Sequence, residues 1–264
     1  MSYARHRAAL DEGTGASSPA GSARVALAPR PDQNAGLRRR YEVFAADLGG
    51  TQHRFARILP AQPLLDEAFA ALCRGTLVAT AGGPVAVEDL EPGMEVQTAD
   101  AGPKRLLWIG STVLAACPDA LHADTPLFTR IAADSLGLGR PMPDLVLGPR
   151  ARMLFRHPGC RGMIGSDTVF APASAFVDGV SVIALRHHQP MQVYHLALEG
   201  QHVLLANGVE VESYHPGENA EALMDHAGRA QFLSLFPHLD RFEAFGRIAV
   251  PRLTAFETDQ LRLS

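Results

Sequence analysis

Cys73 stands in the stretch AALCRGTLVAT, residues 70–80, beside an Arg-Gly-Thr triplet and just ahead of a short apolar run. A thiol in such a place can attack the carbonyl of the residue before it and turn an amide into a thioester, provided its thiolate is accessible. Its other use is as a small buried apolar residue, and the same choice applies to Cys117 and Cys160. Three cysteines without a CxxC spacing argue against a disulfide framework or a zinc site. Eleven histidines raise the question of a metal, and His187, His188, His195, His202 and His215 lie in one region. His195 and His202 could approach each other on paired strands. No HxH, HExxH or facial-triad spacing occurs, so no metal and no cofactor is expected. The glycine-rich LGLGRPMPDL lacks the Lys-Ser/Thr of a phosphate loop, and Ser166 and Asp167 lack the Gly-x-Ser-x-Gly elbow of a hydrolase.

The elements that would have to hold these residues are mostly strands. YEVFAADLGGTQHRFARIL reads as a hairpin turning at Gly49-Gly50, and PLLDEAFAAL, residues 63–72, as a short helix. Beyond it come many short apolar runs with Gly and Pro between them, among them TLVAT, VAVEDL, KRLLWIGSTVL, TVFAPASAFV, VYHLAL and VEVESY. Strands at this density indicate an all-β domain. TPLFTRIAADSLGLGRPMP is expected to hold a short helix, and Trp108 to anchor the core. After His215 the spacing of Leu223, Ala227, Ala230, Phe232 and Phe236 predicts a helix, and HLDRFEAFGRI a second one ended by Pro251. Asn207-Gly208 predicts a tight turn with positive φ at both residues.

Composition bounds the partners. The chain has 264 residues and a net charge of -4, which gives no general reason to expect nucleic acid. Residues 1–38 are rich in Ala, Gly, Ser, Pro and Arg and are expected to form a disordered tail, with Arg38, Arg39 and Arg40 as a solvated flank. Lys104 is the only lysine, which reads as genomic codon bias. No run approaches the ~20 apolar residues of a membrane span, so no integral membrane segment is expected. No secretory signal is visible; cytoplasmic residence is the default, with signal-independent export as the alternative.

Three stretches together resemble a known family. GTLVATAGGPVAVEDLEPGMEVQTAD is similar to the opening of a Hint module, the fold shared by hedgehog autoprocessing domains and inteins. LGLGRPMPDLVLGPRARMLF resembles the middle motif of bacterial Hint-domain proteins, and VYHLALEGQHVLLANGVEVESY the last motif. The resemblance covers about residues 71–214. It implies a mainly β, horseshoe-like module, here with an N-terminal extension of hairpin and short helix (39–70) and a C-terminal helical cap (215–264). In active members the first residue of the module is Cys or Ser and attacks the preceding carbonyl, while a Thr-x-x-His group polarises and protonates the scissile amide.

Aligned on the Gly-Thr pair, the nucleophile position falls on Ala71, and Cys73 comes two residues late. The Ser/Thr and His positions of the middle motif fall on Gly148 and Ala151. The acidic residue of the last motif is His195, and the intein His-Asn pair is Glu212-Ser213. Gly75, Thr76, Pro92, Gly93, Asn207 and Gly208 keep the frame. The resemblance therefore implies either a degenerate module serving as a β scaffold for an unknown protein partner, or a self-cleaving enzyme. In the second case Cys73 attacks the Leu72 carbonyl with support from Thr76 and His202. An export- or surface-associated accessory role is a third expectation.

Overall fold

A computed structural model describes residues 38–47, 49–116 and 127–263. The expected N-terminal tail, Arg38 apart, and Cys117 lie outside these residues.

Alternation builds the first element. In β1 (Arg38–Ala46) Tyr41, Val43 and Ala45 are buried while Arg38, Arg40 and Glu42 face solvent. It pairs antiparallel with β2 (Gln52–Pro60), and Asp47 closes the turn by accepting from the Thr51 N–H at 2.8 Å. The expected solvated arginine flank is corrected at Arg39 alone, since Arg38 and Arg40 are exposed. Arg39 donates to Asp66, which also accepts from the Tyr41 hydroxyl at 2.9 Å, so the strand is tied to α1 (Pro63–Phe69). Proline opens that helix, where its missing N–H costs nothing, and Leu65, Ala68 and Phe69 are buried.

Short strands follow: β3 (Leu72–Cys73), β4 (Leu77–Thr80), β5 (Gly83–Ala86), β6 (Glu95–Thr98), β7 (Gly102–Arg105) and β8 (Trp108–Leu114). Then come β9 (Phe128–Ile131), β10 (Leu145–Leu147), β11 (Arg152–Arg156), the one-turn α2 (Cys160–Ile164), β12 (Thr168–Pro172), β13 (Val182–Leu185), β14 (Met191–Ala197), β15 (Val203–Ala206) and β16 (Val209–Glu212). They form two antiparallel sheets. One has the order β13-β9-β10-β3-β14-β8-β1-β2; the other runs β12-β11-β16-β15-β4-β6-β7, with β5 on β4. The main core draws on both sheets through Leu72, Val78, Leu106, Leu147, Met153, Leu196, Leu204 and Val211.

A second, aromatic core lies on β1, α1 and β8. Trp108 is fully buried, stacks on Phe236 with ring centroids 4.6 Å apart, and donates its indole N–H to the Leu235 carbonyl at 2.7 Å. Gly110 makes room for this packing, because a Cβ there would fall 2.0 Å from the Trp108 ring. The C-terminal part thus lends aromatic side chains to the β module through α3 (His226–Leu233) and the residues after it.

Two helix expectations are corrected. The stretch after residue 126 forms β9 and a turn-rich loop, because Asp134 and its glycines take positive φ. The stretch HLDRFEAFGRI makes only a short 3-10 turn, Phe242–Phe245, closed by Gly246 at φ 82°. The second C-terminal helix instead follows Pro251, as α4 (Ala255–Leu263). Thr254 and Glu257 cap it reciprocally, each accepting from the other's backbone N–H. No described helix is long and apolar enough to cross a membrane.

Candidate functional site

The helix α1 ends at Phe69, and Ala70 caps it, its N–H still donating to Asp66 O at 3.0 Å. The next residue leaves the helix, and the Ala71 N–H donates to the Tyr194 carbonyl at 3.1 Å. From there β3 runs between β14 and β10. The segment after β10 turns back onto this junction. Gly148 N–H donates to Ala71 O at 2.7 Å, Arg150 N–H to Ala70 O at 3.0 Å, and Ala151 N–H to Gly148 O at 3.2 Å. Only glycine allows this approach: a Cβ at residue 148 would stand 2.4 Å from the Ala70 oxygen and 2.8 Å from its carbon.

Ala71 and Gly148 therefore meet at one peptide bond, Ala70–Ala71, and Ala151 follows directly the Arg150 whose N–H holds its carbonyl. Ala71 and Ala151 lie in the main core at 2% and 4% exposure. The Arg150 N–H is the kind of backbone donor that stabilises a developing oxyanion. None of the three side chains can attack, accept or donate a proton.

Cys73 occupies a different environment. It packs with Ala70, Leu114, Phe128 and Val193 in a separate apolar cluster, and burial pushes its thiol pKa up to about 12. At neutral pH it is a protonated thiol. Thr76 is joined to it by the backbone, its N–H donating to Cys73 O at 3.1 Å, in a turn where Gly75 takes φ 84°. The Thr76 carbonyl accepts from Val87 N–H, so the residue fixes the entry to β4. His202 stands beside β15, in the other sheet. Its Nδ1 is 2.8 Å from Asp100 Oδ2 and its Nε2 is 3.1 Å from Glu199 O. Cys73 and Thr76 are brought together, and the hydrogen bonds described for His202 go to Ser213, Asp100 and Glu199 instead.

A buried ionic centre adjoins the junction in sequence. Glu212 accepts from Arg252 Nε at 2.8 Å and from Gln201, and Arg152 Nε stands 3.5 Å away. Burial raises its pKa against the pull of Arg252, Gln201 and Arg152. Arg152 also donates to Glu67 Oε1 at 2.7 Å. Burial works to raise the Glu67 pKa, and Arg152 outweighs it and holds the carboxyl low. Arg252 donates onward to the His215 carbonyl at 2.6 Å, and Gln201 Oε1 accepts from the N–H groups of Ala249 and Val250. His195 completes the group. Its Nδ1 is 3.0 Å from Glu67 O, and burial pushes its pKa down to about 4. The departures at His195 and Glu212 were legible as oddities. The network was not, because its partners lie 40 residues (Glu212 to Arg252) and 85 residues (Glu67 to Arg152) apart.

Ser166, Asp167, His187 and His215 each have a structural partner. Ser166 donates to Thr168 O, Asp167 pairs with Arg161, and His187 Nε2 is 2.7 Å from Ala115 O. His215 Nε2 is 3.1 Å from Gly246 O. Among the described residues no group of His, Cys, Asp and Glu is arranged to hold a metal ion.

The family model for the Hint domain matches residues 70–218. Among solved structures, the bacterial intein-like domain from Clostridium thermocellum is 13% identical, with a TM-score of 0.37, covering 55% of this chain and 99% of that one. The gp41-1 intein is 13% identical with a TM-score of 0.32, over 55% of this chain and 98% of its own. The MchDnaB-1 intein carrying N145AA is 16% identical, also at 0.32, over 54% and 98%. No curated protein matches the chain.

Proposed function

The chain belongs to the Hint domain family, and on that footing we propose that its module performs neither splicing nor autoproteolysis and serves as a β scaffold for binding a protein partner. The observation that carries this reading is the junction itself. The carbonyl of Ala70 is held by the Arg150 N–H, yet the residues meeting there are Ala71, Gly148 and Ala151. An acyl shift needs a nucleophile on one side of the bond and an acid for the departing nitrogen. Two methyl groups and a hydrogen supply neither. Cys73, the nearest thiol in sequence, is protonated and packed among apolar side chains, which opposes thiolate formation.

Intact-mass measurement of the purified chain tests the proposal, after incubation with and without dithiothreitol and hydroxylamine. A single full-length mass under every condition is the expected result. A fragment ending at Leu72 and another beginning at Cys73, both lost in Cys73→Ala, would overturn it and make Cys73 a working nucleophile.

A further inference from the structure

Four strands end the two sheets, β13 and β2 in one and β12 and β7 in the other. A sheet edge presents unpaired N–H and C=O groups with which another chain can pair, so edges are normally kept short or covered. β13 and β7 have four residues each, and Pro103 removes a donor from β7. β12 is covered by the C-terminal segment: Phe170 N–H donates to Pro251 O at 2.8 Å, and Leu253 N–H to Phe170 O at 2.9 Å. β2 is nine residues long, and among the described residues only β1 pairs with it.

The register tells which groups of β2 are free. Asp47 N–H donates to Thr51 O, so in this hairpin the pair 47–51 is hydrogen-bonded, and so is every second pair beyond it. His53, Phe55, Arg57 and Leu59 therefore turn their main-chain groups to β1, while Arg54, Ala56 and Ile58 turn theirs outward. Two details agree. Pro60, which has no N–H, falls on the outward side, and the Ile58 carbonyl is met there by the Arg38 side chain at 3.0 Å.

The side chains narrow what kind of strand fits. Between Gln52 and Pro60 the formal charges are Arg54 and Arg57, both exposed, and no carboxylate stands among these residues. Arg54 lies over the Phe44 ring at 4.1 Å and Arg57 over the Phe55 ring at 5.0 Å, and among the described residues neither has an ion pair. The carboxylates of the same hairpin are engaged, Glu42 by Arg40 at 2.9 Å and Asp47 by His53 at 3.1 Å. A second copy pairing edge to edge would bring four β2 arginines into one seam with no β2 carboxylate to meet them, and like charges across strands repel. Carboxylates on an incoming strand would meet them with the opposite sign.

We propose that the free edge of β2 receives an extended acidic segment of a protein partner as an added strand. Its main chain bonds to Arg54, Ala56 and Ile58, and two carboxylates three residues apart meet Arg54 and Arg57, which lie on opposite faces of the sheet. This rests on the module being a scaffold for a protein partner. It is separate from the inert junction, which intact mass tests and peptide binding does not.

Fluorescence anisotropy of the labelled peptides TEVTEVT, TKVTKVT and TEPTEVT, titrated with the full chain, tests this. Saturable binding of TEVTEVT is expected. It should weaken about tenfold in TKVTKVT, which reverses the charge, and in TEPTEVT, where proline removes a central N–H. The paired variant Arg54→Glu, Arg57→Glu should prefer TKVTKVT. Ala56→Pro removes one outward N–H while leaving the bonds to β1, and should lose TEVTEVT with its Trp108 fluorescence unchanged. The proposal is overturned if TEVTEVT does not saturate, or if TEPTEVT binds as well, which would make the contact one of charge alone. It is also overturned if sedimentation shows the chain to be a dimer that Ala56→Pro dissociates, because a second copy then holds the edge.

Discussion

Around the Ala70–Ala71 peptide every polar contact described is made by the main chain, and the side chains are Ala71, Gly148 and Ala151. Around Glu212 the contacts run from side chain to side chain, through Arg252, Gln201 and Arg152. The two regions share their supports: Arg152 follows Ala151 directly, and Glu67 lies on the helix that Ala70 caps. The difference teaches where the geometry of each is stored. Main-chain hydrogen bonds need no polar side chain, so with glycine at residue 148 the junction keeps its form with no chemical group in it. The ionic centre exists only while each of its members is present, because a buried charge without its partner is costly.

The sharpest way to break the comparison is to remove one member of the ionic centre. Glu212→Ala leaves Arg252 and part of Arg152 without their buried acceptor and should lower stability by about 3–5 kcal/mol. Urea unfolding followed by Trp108 fluorescence would read this. The paired variant Glu212→Ala, Arg252→Ala should cost less than the two single changes added together, since the charges are coupled. Additive losses would mean that the centre is merely packed.

Acid should separate the regions next. His195 is neutral in the folded chain, with a pKa near 4 against an ordinary 6.5, so below 6.5 the unfolded chain binds a proton that the folded chain refuses. Stability must then fall as pH drops from about 6.5 to 4, by up to about 3 kcal/mol for this imidazole. His238 has the same direction and a similar value, and contributes in the same window. His195→Phe should have a shallower slope between pH 6.5 and 4 than the parent. Variants at Ala71 or Ala151, which add no titrating group when changed to apolar residues, should keep the parental slope.

The junction has its own weak point at Gly148. A methyl group there would stand 2.4 Å from a backbone oxygen, so the chain itself must move. Gly148→Ala should cost about 1–3 kcal/mol by overpacking, and amide exchange at Gly148 and Arg150, whose N–H groups hold the two carbonyls, should accelerate more than exchange in β15. Unchanged exchange would show that the main-chain bonds do not store the shape.

Much of the frame was legible because it rests on local rules. The hairpin of β1 and β2 follows from alternation around Gly49-Gly50. The turn at Asn207-Gly208 follows from residue types that tolerate positive φ, found here at 48° and 81°. The anchoring of Trp108 follows from its size. The second C-terminal helix was expected before Pro251, and α4 lies after it. The ionic centre depends on residues brought together by sheet order, which no local pattern encodes. At the junction, sequence spacing named Ala71, Gly148 and Ala151, and the fold brings Gly148 onto the peptide before Ala71, with Ala151 closing the turn that follows. Spacing gave no sign that Cys73 belongs to a different cluster, since residues two apart on a regular strand would share a face.

The smallest expected effect comes from giving the junction a nucleophile. Ala71→Cys adds one sulfur to the main core and should change stability by no more than about 1–3 kcal/mol. Intact mass should show no cleavage at Ala70–Cys after prolonged incubation with hydroxylamine. The reason is specific to this site. The Ala70 carbonyl already has its donor in the Arg150 N–H, so polarisation is not what is missing. The departing nitrogen is the Ala71 N–H, which donates to Tyr194 O within the sheet and has no acid beside it at Gly148 or Ala151. Without a proton for that nitrogen, a tetrahedral adduct collapses back to the amide. Adding Ala151→His to Ala71→Cys is the sharper form of the experiment. If that pair cleaves while Ala71→Cys alone does not, the main-chain frame of the junction is competent and only its side chains are inert. If neither cleaves, the Ala71 N–H is held too firmly in the sheet to leave, and the frame itself is closed to this chemistry.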